Sequence, residues 1–200
     1  MGQILFIFNG LESLPNPQQS YPPGILQPVL QWTESDGWAI RSWYVPSTAT
    51  PSIDMMPKLI DEQKFTDPAS MAYTKATKVA VNKLLKGVIE WDGMSYRSSF
   101  LVDGNIVAPL LARNILPLTY PVAVIEAYNF TRDKNDLVDV VTMNNLALEL
   151  EESPGVPIEA TWDVGSDSNS SDHIHYGTGK MQKYKIVPSN SNATLTFTRK

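Results

Sequence analysis

Residues 24–32 are Gly24-Ile25-Leu26-Gln27-Pro28-Val29-Leu30-Gln31-Trp32. Their side chains alternate with a period of two, which predicts a β-strand with both glutamines on one face. The other face carries two leucines and a tryptophan. Asp36-Gly37 follows as a hairpin turn signal, and residues 38–45 form a second β-rich run. A β-hairpin is therefore expected over residues 24–45.

Short β-rich runs separated by turn residues continue along the chain, and this pattern is typical of an antiparallel two-sheet sandwich. The predicted strands are 4–8, 24–32, 38–45, 79–91, 96–102, 122–130, 158–164, 183–187 and 194–198. Residues 110–116 and 138–150 fit either a strand or a helix. Residues 46–76 lose the pattern and predict a long loop. With no internal repeat, residues 1–200 are interpreted as one all-β domain.

Composition excludes several functional classes. The 200 residues carry a net charge of -5 and no Lys/Arg-rich run, which argues against a nucleic-acid partner. The apolar stretches are much shorter than the ~20 residues of a membrane span, so a soluble protein without a membrane partner is expected. No P-loop or dinucleotide-binding glycine motif is present, so we predict no cofactor.

The absence of cysteine excludes disulfides, thiolate nucleophiles and cysteine-ligated metals. Three glycosylation sequons begin at Asn129, Asn169 and Asn192, which hints at secretion. The N-terminus, however, lacks the basic region of a signal peptide and is interpreted as a first strand. The sequence therefore leaves the localisation open.

Three segments together resemble a known family. They are the 24–32 strand, the run Trp38-Ala39-Ile40-Arg41-Ser42-Trp43-Tyr44-Val45, and Val122-Ala123-Val124-Ile125-Glu126-Ala127-Tyr128. In this order they resemble the concanavalin A-like sandwiches related to glutamic peptidases (eqolisins). The resemblance implies a jelly-roll sandwich in which Gln27 and Glu126 stand where the peptidases have their catalytic carboxamide and carboxylate. Val45-Pro46 replaces the acidic residue of that family, which indicates a non-peptidase member.

Gln27 and Glu126 are accordingly the predicted catalytic residues. A carboxylate among apolar strand neighbours has a raised pKa and becomes a proton donor near neutral pH. A carboxamide beside it can hold a carbonyl or an oxyanion. The alternative is a buried Glu–Gln hydrogen bond that only satisfies two core groups.

Further polar and aromatic residues on the strands are predicted to bind substrate. They are Gln31, Trp38, Arg41, Tyr44, Tyr96 and Tyr128. Tyr44 and Tyr128 are favoured because they combine a ring with a hydroxyl, and an arginine can orient a carbonyl. The alternatives are core packing for the aromatic rings and an outward-facing position for Arg41.

His173 and His175, the only histidines, lie in a Gly/Ser-rich loop. Two His at this spacing could share a metal, but no third ligand is evident, so no metal site is predicted. No Gly-x-Ser-x-Gly motif accompanies them, which argues against serine hydrolysis.

Three functions are compatible with these observations. The first is a cofactor-independent enzyme of secondary metabolism that binds a small, largely apolar substrate and catalyses a cyclisation or pericyclic step. The second is an acid glutamic peptidase with Glu126 as general acid/base. The third is a lectin-like module that binds carbohydrate through aromatic side chains.

Overall fold

The structure is a computed structural model that describes residues 4–13, 24–46, 58–60, 71–113, 115–128, 138, 140–149, 153, 156–157, 184–188 and 194–199. Side-chain surroundings are defined for these residues except 58–60, 127–128, 184–188 and 199. The chain divides into two compact units, Met1–Asn129 and Phe130–Lys200. The prediction of a single domain stays a prediction.

The first unit contains a seven-stranded sheet, sheet A. Its strands are β1 (Ile4–Ser13), β2 (Ile25–Thr33), β3 (Gly37–Val45), β4 (Lys58–Ile60), β5 (Ala72–Thr74), β6 (Thr77–Lys78) and β10 (Leu118–Tyr128). The strand order is β10-β1-β2-β3-β5-β4, and β6 also pairs with β3. All pairs are antiparallel except β4–β5. The long β1–β2–β3 centre therefore determines the geometry of the sheet.

Sheet B of the same unit has three antiparallel strands in the order β7-β8-β9. They are β7 (Leu85–Trp91), β8 (Ser95–Val102) and β9 (Asn105–Arg113). Asp103-Gly104 joins β8 to β9, and both residues have positive φ, 51° and 79°. Two successive left-handed residues form the type I′ turn that matches the twist of a hairpin, and Asp-Gly is a preferred pair for it.

Sheet B packs on one face of sheet A, which we call the inter-sheet face. The shared core consists of Leu26, Tyr44, Ala72, Leu110, Ala112 and Leu118. Leu26 of sheet A and Leu110 of sheet B are both 0% exposed. Burial of such side chains contributes roughly 1.5–3 kcal/mol each, and it makes the first unit a two-layer structure consistent with a β-sandwich.

A buried hydroxyl network also joins the two sheets. Ser42 of β3 donates to the carbonyl oxygen of Ala108 at 2.8 Å. Ser98 of β8 donates to the Ser42 hydroxyl at 3.0 Å. Ala108 has φ 52° beside a register shift opposite β8 residues Ser98 to Phe100. This bulge turns the Ala108 carbonyl toward sheet A, where it is satisfied by hydrogen bonding.

The second unit contains sheet C, with the strand order β11-β13-β12. The strands are β11 (Val140–Met143), β12 (Tyr184–Pro188) and β13 (Leu195–Arg199). Both pairs are antiparallel. Leu195 and Phe197 alternate on β13 and are each 2% exposed, so one face of this sheet is buried.

The all-β class predicted from the sequence is confirmed, and the described part of the chain contains no helix. Several boundaries differ. β1 extends to Ser13 rather than ending at residue 8, and β10 begins at Leu118. β7 begins at Leu85, and β4 and β5 lie within the expected 46–76 loop. The predicted 158–164 strand lies outside the described residues.

Candidate functional site

One face of sheet A carries most of the polar side chains singled out in the sequence, and we call it the Gln27 face. It is opposite the inter-sheet face, because alternation separates Gln27 from Leu26. The strand registers place on it Phe6, Phe8, Gly10 and Glu12 of β1, Ile25, Gln27, Val29 and Gln31 of β2, Arg41 and Trp43 of β3, Tyr73 of β5, and Val122, Val124 and Glu126 of β10. Phe8, Val29 and Val122 form its buried apolar centre.

Gln27 and Glu126 lie on this same face. Phe6 is paired with Glu126 on one side and with Gln31 on the other, so Glu126 and Gln31 are level across β1. Gln27 lies four residues further along β2. On a flat sheet, two strand spacings and four residues put Gln27 and Glu126 about 16 Å apart. Gln31, 6% exposed, is nearer to Glu126 in the ladder than Gln27 is.

Glu12 is a buried acid on the Gln27 face. It is 8% exposed, and its pKa rises from 4.5 to about 7, first because burial disfavours the carboxylate and second because the Glu126 charge repels it. Glu126 is paired with Phe6 of β1, which is six residues from Glu12. On a flat sheet this offset is about 20 Å along the strand. Burial is therefore the main cause of the raised pKa of Glu12, and the Glu126 charge is the smaller one.

A cation and three aromatic rings occupy the β3 side of the face. The rings of Trp43 and Tyr73 stack with centroids 4.7 Å apart. The Arg41 guanidinium carbon lies 5.6 Å from the Trp43 centroid and 5.1 Å from the Tyr73 centroid. The Phe6 ring lies 6.3 Å from Trp43. Burial lowers the pKa of Arg41, while Tyr73 and Asp36 oppose that effect. The cation is thus held over aromatic faces.

Three buried polar atoms of the Gln27 face have no hydrogen-bond partner in the described structure. They are Oε1 of Gln27, Nε of Arg41 and Nε1 of Trp43. Gln27 is 8% exposed and is paired with Trp43 across β2–β3. Buried polar groups are nearly always satisfied in native proteins, and each unsatisfied one costs about 1–3 kcal/mol. A ligand bound on this face would satisfy all three atoms by donating to Oε1 of Gln27 and accepting from the two N–H groups.

Three of the predicted substrate-binding residues lie elsewhere. The register pairs Gln27 with Trp43 and Leu26 with Tyr44, so Tyr44 belongs to the inter-sheet core. Trp38 shares the parity of Tyr44 on β3. Tyr96 lies on β8 of sheet B, and its hydroxyl accepts a hydrogen bond from the Leu118 amide at 3.1 Å. The structure does not bring these three side chains together with Gln27.

The remaining predictions have mixed outcomes. Gln31 and Arg41 lie on the Gln27 face. Arg41 is partly buried. The backbone of Tyr128 pairs with Ile4, and its side chain is outside the described set. His173 and His175 also lie outside the described residues. Within the part of the chain that is described, no group of three His, Asp or Glu side chains could hold a metal ion.

Sequence reasoning missed Glu12 and Tyr73, and its substrate-binding residues include Tyr44 but not Trp43. Glu12 continues the alternation of Phe6 and Phe8, but it lies beyond the predicted strand 4–8, after Asn9-Gly10, a pair typical of turns. Tyr73 lies within the stretch interpreted as a loop. No local pattern decides between Trp43 and Tyr44, because only the β2–β3 register assigns the faces of β3.

Comparisons of the chain with protein-family models, with curated proteins and with solved structures gave no match. The resemblance to eqolisin-like sandwiches therefore stays a prediction. In the described ranges, no helix has the length and apolar character needed to cross a membrane. The fold and site define an all-β protein, consistent with a sandwich, that has a polar and aromatic face on its larger sheet.

Proposed function

We propose that the Gln27 face binds a small, largely apolar molecule and promotes its cyclisation without a cofactor. The observation that carries this proposal is a buried acid with a pKa of about 7, Glu12, on the same face of sheet A as the buried Gln27 carboxamide, whose Oε1 has no hydrogen-bond partner among the described residues. Ligand sites combine apolar walls with a few placed polar groups, and this face has that composition. The jelly-roll, concanavalin A-like form of the sandwich is part of the proposal.

Each group has a defined part in the proposed reaction. The partly buried Phe6, Ile25 and Val124 cover the hydrocarbon part of the substrate and hold it in a folded shape, which lowers the entropic barrier to ring closure. Oε1 of Gln27 accepts a hydrogen bond from a substrate hydroxyl or amide. Protonated Glu12 donates to a substrate carbonyl and withdraws electron density from the reacting bonds. Burial, with a smaller contribution from the Glu126 charge, raises the pKa of Glu12 to about 7, so a large fraction of Glu12 is protonated near neutral pH.

A cyclisation suits these groups because it rearranges the bonds of one molecule. The atoms of substrate and product are the same, so positioning and carbonyl polarisation can be the whole contribution of the protein. The burial of Gln27 and Gln31 also favours an enclosed small ligand over the exposed aromatic platforms of lectin-like modules.

Binding of 6-acetyl-2-naphthol, a neutral apolar ketone with one hydroxyl, tests the proposal. We expect wild-type protein to bind it, and Gln27→Leu to weaken binding about 10-fold because the hydroxyl loses its buried acceptor. Glu12→Gln tests the carbonyl contact, and Glu34→Gln is the control because Glu34 is an exposed turn residue. Titration calorimetry gives the affinities. Equal affinities for wild type, Gln27→Leu and Glu12→Gln would contradict the proposal.

An acid glutamic peptidase is the second candidate, favoured by the common face of Gln27 and Glu126. In that function Glu126 would act as general acid/base and Gln27 would stabilise the oxyanion. The discriminating measurement is digestion of denatured casein at acidic pH by wild type and Glu126→Gln. Cleavage by wild type alone supports the peptidase, and no cleavage by either protein eliminates it.

A further inference from the structure

We infer that Arg41 and Trp43 form an oxyanion-binding subsite, so that the ligand of the Gln27 face carries a carboxylate or an enolate. The inference rests on the proposed ligand-binding function and specifies the chemical class of the ligand. Its basis is the pair of buried N–H donors, Nε of Arg41 and Nε1 of Trp43, that have no acceptor among the described residues.

The placement of the two donors fits one shared acceptor. Arg41 and Trp43 are two residues apart on β3, so their side chains project from the same face about 7 Å apart at the backbone. The guanidinium lies over the Trp43 ring. An oxygen at the edge of this stack can accept from the indole and from the guanidinium together.

The charge of the subsite is positive and uncompensated by a salt bridge. Within the described residues, Arg41 makes no ion pair, and its close contacts are the Trp43 and Tyr73 rings. The exposed Arg97, in contrast, forms a salt bridge with Glu90. Among the described residues, the carboxylate that acts on Arg41 is that of the exposed turn residue Asp36, and it forms no salt bridge with the guanidinium. A partly buried guanidinium without a salt bridge binds an anion strongly, because charge-assisted hydrogen bonds are about twice as strong as neutral ones.

The neighbouring rings hold the donors in place for such a ligand. Tyr73 stacks on Trp43 at 4.7 Å and also faces the guanidinium at 5.1 Å. Stacking on both sides restricts the side chains before the ligand arrives, which reduces the entropy lost on binding. The partly buried Phe6 and Val124 pack against the same apolar centre as Trp43, and they suit the apolar remainder of the molecule.

The subsite and the acid end of the face are separate. Glu12 lies at the level of Ile25 on the other side of β2, whereas Arg41 is paired with Val29. A ligand anchored at Arg41 by its oxyanion would extend across β2 toward Glu12. Binding of the oxyanion at Arg41 thus fixes the orientation of the substrate. The substrate carbonyl then lies at the opposite end, near Glu12.

Three naphthalene ligands of one size test the inference by calorimetry on the full chain: 6-hydroxy-2-naphthoate, 6-hydroxy-2-naphthamide and 6-acetyl-2-naphthol. We expect the carboxylate to bind at least about 10-fold more tightly than the amide. Arg41→Gln should remove that preference, because carboxylate binding loses the charge-assisted hydrogen bond and is weakened much more than amide binding. Trp43→Phe keeps the ring and loses the N–H, and it should weaken carboxylate binding about 5-fold. Arg97→Gln is the control and should leave all affinities unchanged.

Each other outcome is decisive. Equal affinity for carboxylate and amide, or a carboxylate preference that persists in Arg41→Gln, overturns the subsite while binding of the neutral ketone leaves the proposed function standing. Failure of all three ligands to bind overturns both. If Arg41→Gln does not fold, Arg41→Lys replaces it. Lysine keeps the charge without the planar fork, so it should reduce the carboxylate preference, and an unchanged preference overturns the subsite. Dimedone, an acidic 1,3-dione, distinguishes enolate from carboxylate recognition by its affinity relative to the naphthoate.

Discussion

At the scale of single residues, Glu12 couples the candidate site to the stability of the protein. A carboxyl group whose folded pKa is about 7, against 4.5 without the fold, binds more protons in the native state than in the unfolded state between those values. Stability due to this group is therefore complete below pH 4.5 and is lost as the pH rises through 7. The shift corresponds to a loss of at most about 3 kcal/mol.

Glu12→Gln is expected to remove this pH dependence. Between about pH 5 and about pH 8, ionisation of Glu12 should lower the unfolding free energy of wild type by roughly 2–3 kcal/mol. The variant lacks this contribution, so its unfolding free energy should fall less over the same range, by the same roughly 2–3 kcal/mol. Urea denaturation at the two pH values measures the difference. Glu90→Gln, which changes an exposed acid of sheet B, serves as the control. The same pH slope in Glu12→Gln and wild type would contradict a buried, protonated Glu12.

Residue patterns predicted the acidic and amide groups better than the aromatic ones. Gln27 and Gln31 share a face because alternation along one strand is reliable. Glu126 was selected through the resemblance of residues 122–128 to a strand of the glutamic peptidases. Glu12 was missed because glycine and asparagine are allowed inside β1 when neighbouring strands need close approach. The sequence of β3 alone does not show whether Trp43 or Tyr44 lies on the Gln27 face. Only the pairing of β2 with β3 assigns Trp43 to that face.

At the scale of elements, the approach of β7 to sheet A depends on the absence of a side chain at Gly87. A Cβ atom at this position would overlap the Asn9 carboxamide oxygen and lie 2.9 Å from Cγ of Pro28. Asn9 also donates to the Gly87 carbonyl at 3.4 Å. The two sheets therefore approach each other closely at this point, with the Gly87 backbone against side chains of β1 and β2.

Gly87→Ala is expected to destabilise the protein by about 1–3 kcal/mol, because β7 must move away from β1 and β2. Asn9→Ala in the same chain should recover part of the loss, since it removes one of the two overlapping groups. Denaturant unfolding of the two single variants and the double variant measures the coupling. Lys86→Ala, at the exposed neighbouring position, is the control. Equal stability of Gly87→Ala and wild type would exclude this close packing.

Element boundaries were the least predictable part of the fold. The Asp36-Gly37 and Asp103-Gly104 turns follow from local chemistry, and the structure contains both with positive φ at the glycines. The short β4 and β5 pair in parallel, and their three-residue length carries too little periodicity to recognise. Their pairing depends on contacts between residues distant in sequence, which local patterns do not encode.

At the scale of the whole molecule, the first unit contains both layers of the two-layer structure, sheet A and sheet B. Sheets A and B, both apolar clusters and the Ser42–Ser98 network all lie in Met1–Asn129. Sheet C belongs to the second unit. A segment with its own core can fold without the remainder of the chain.

A fragment of residues 1–129 is therefore expected to fold and to unfold cooperatively. Far-UV circular dichroism and a single urea transition measure this, and amide exchange should protect β2 and β3 most, as they are central in sheet A. Gly87→Ala in the fragment is the control and should lower the transition midpoint as in the full chain. A fragment without cooperative unfolding would support the single-domain prediction made from the sequence.

The double burial of β2 has a consequence for how this protein can change over evolution. Leu26 on the inter-sheet face and Val29 on the Gln27 face are both 0% exposed. The residues of one face of β2 therefore cannot take the places of the residues of the other face. Deleting or inserting one residue there would exchange the glutamines with the leucines and destroy core and site in a single event. New ligand preferences must arise by replacement of side chains, and changes of length are confined to the connections between strands.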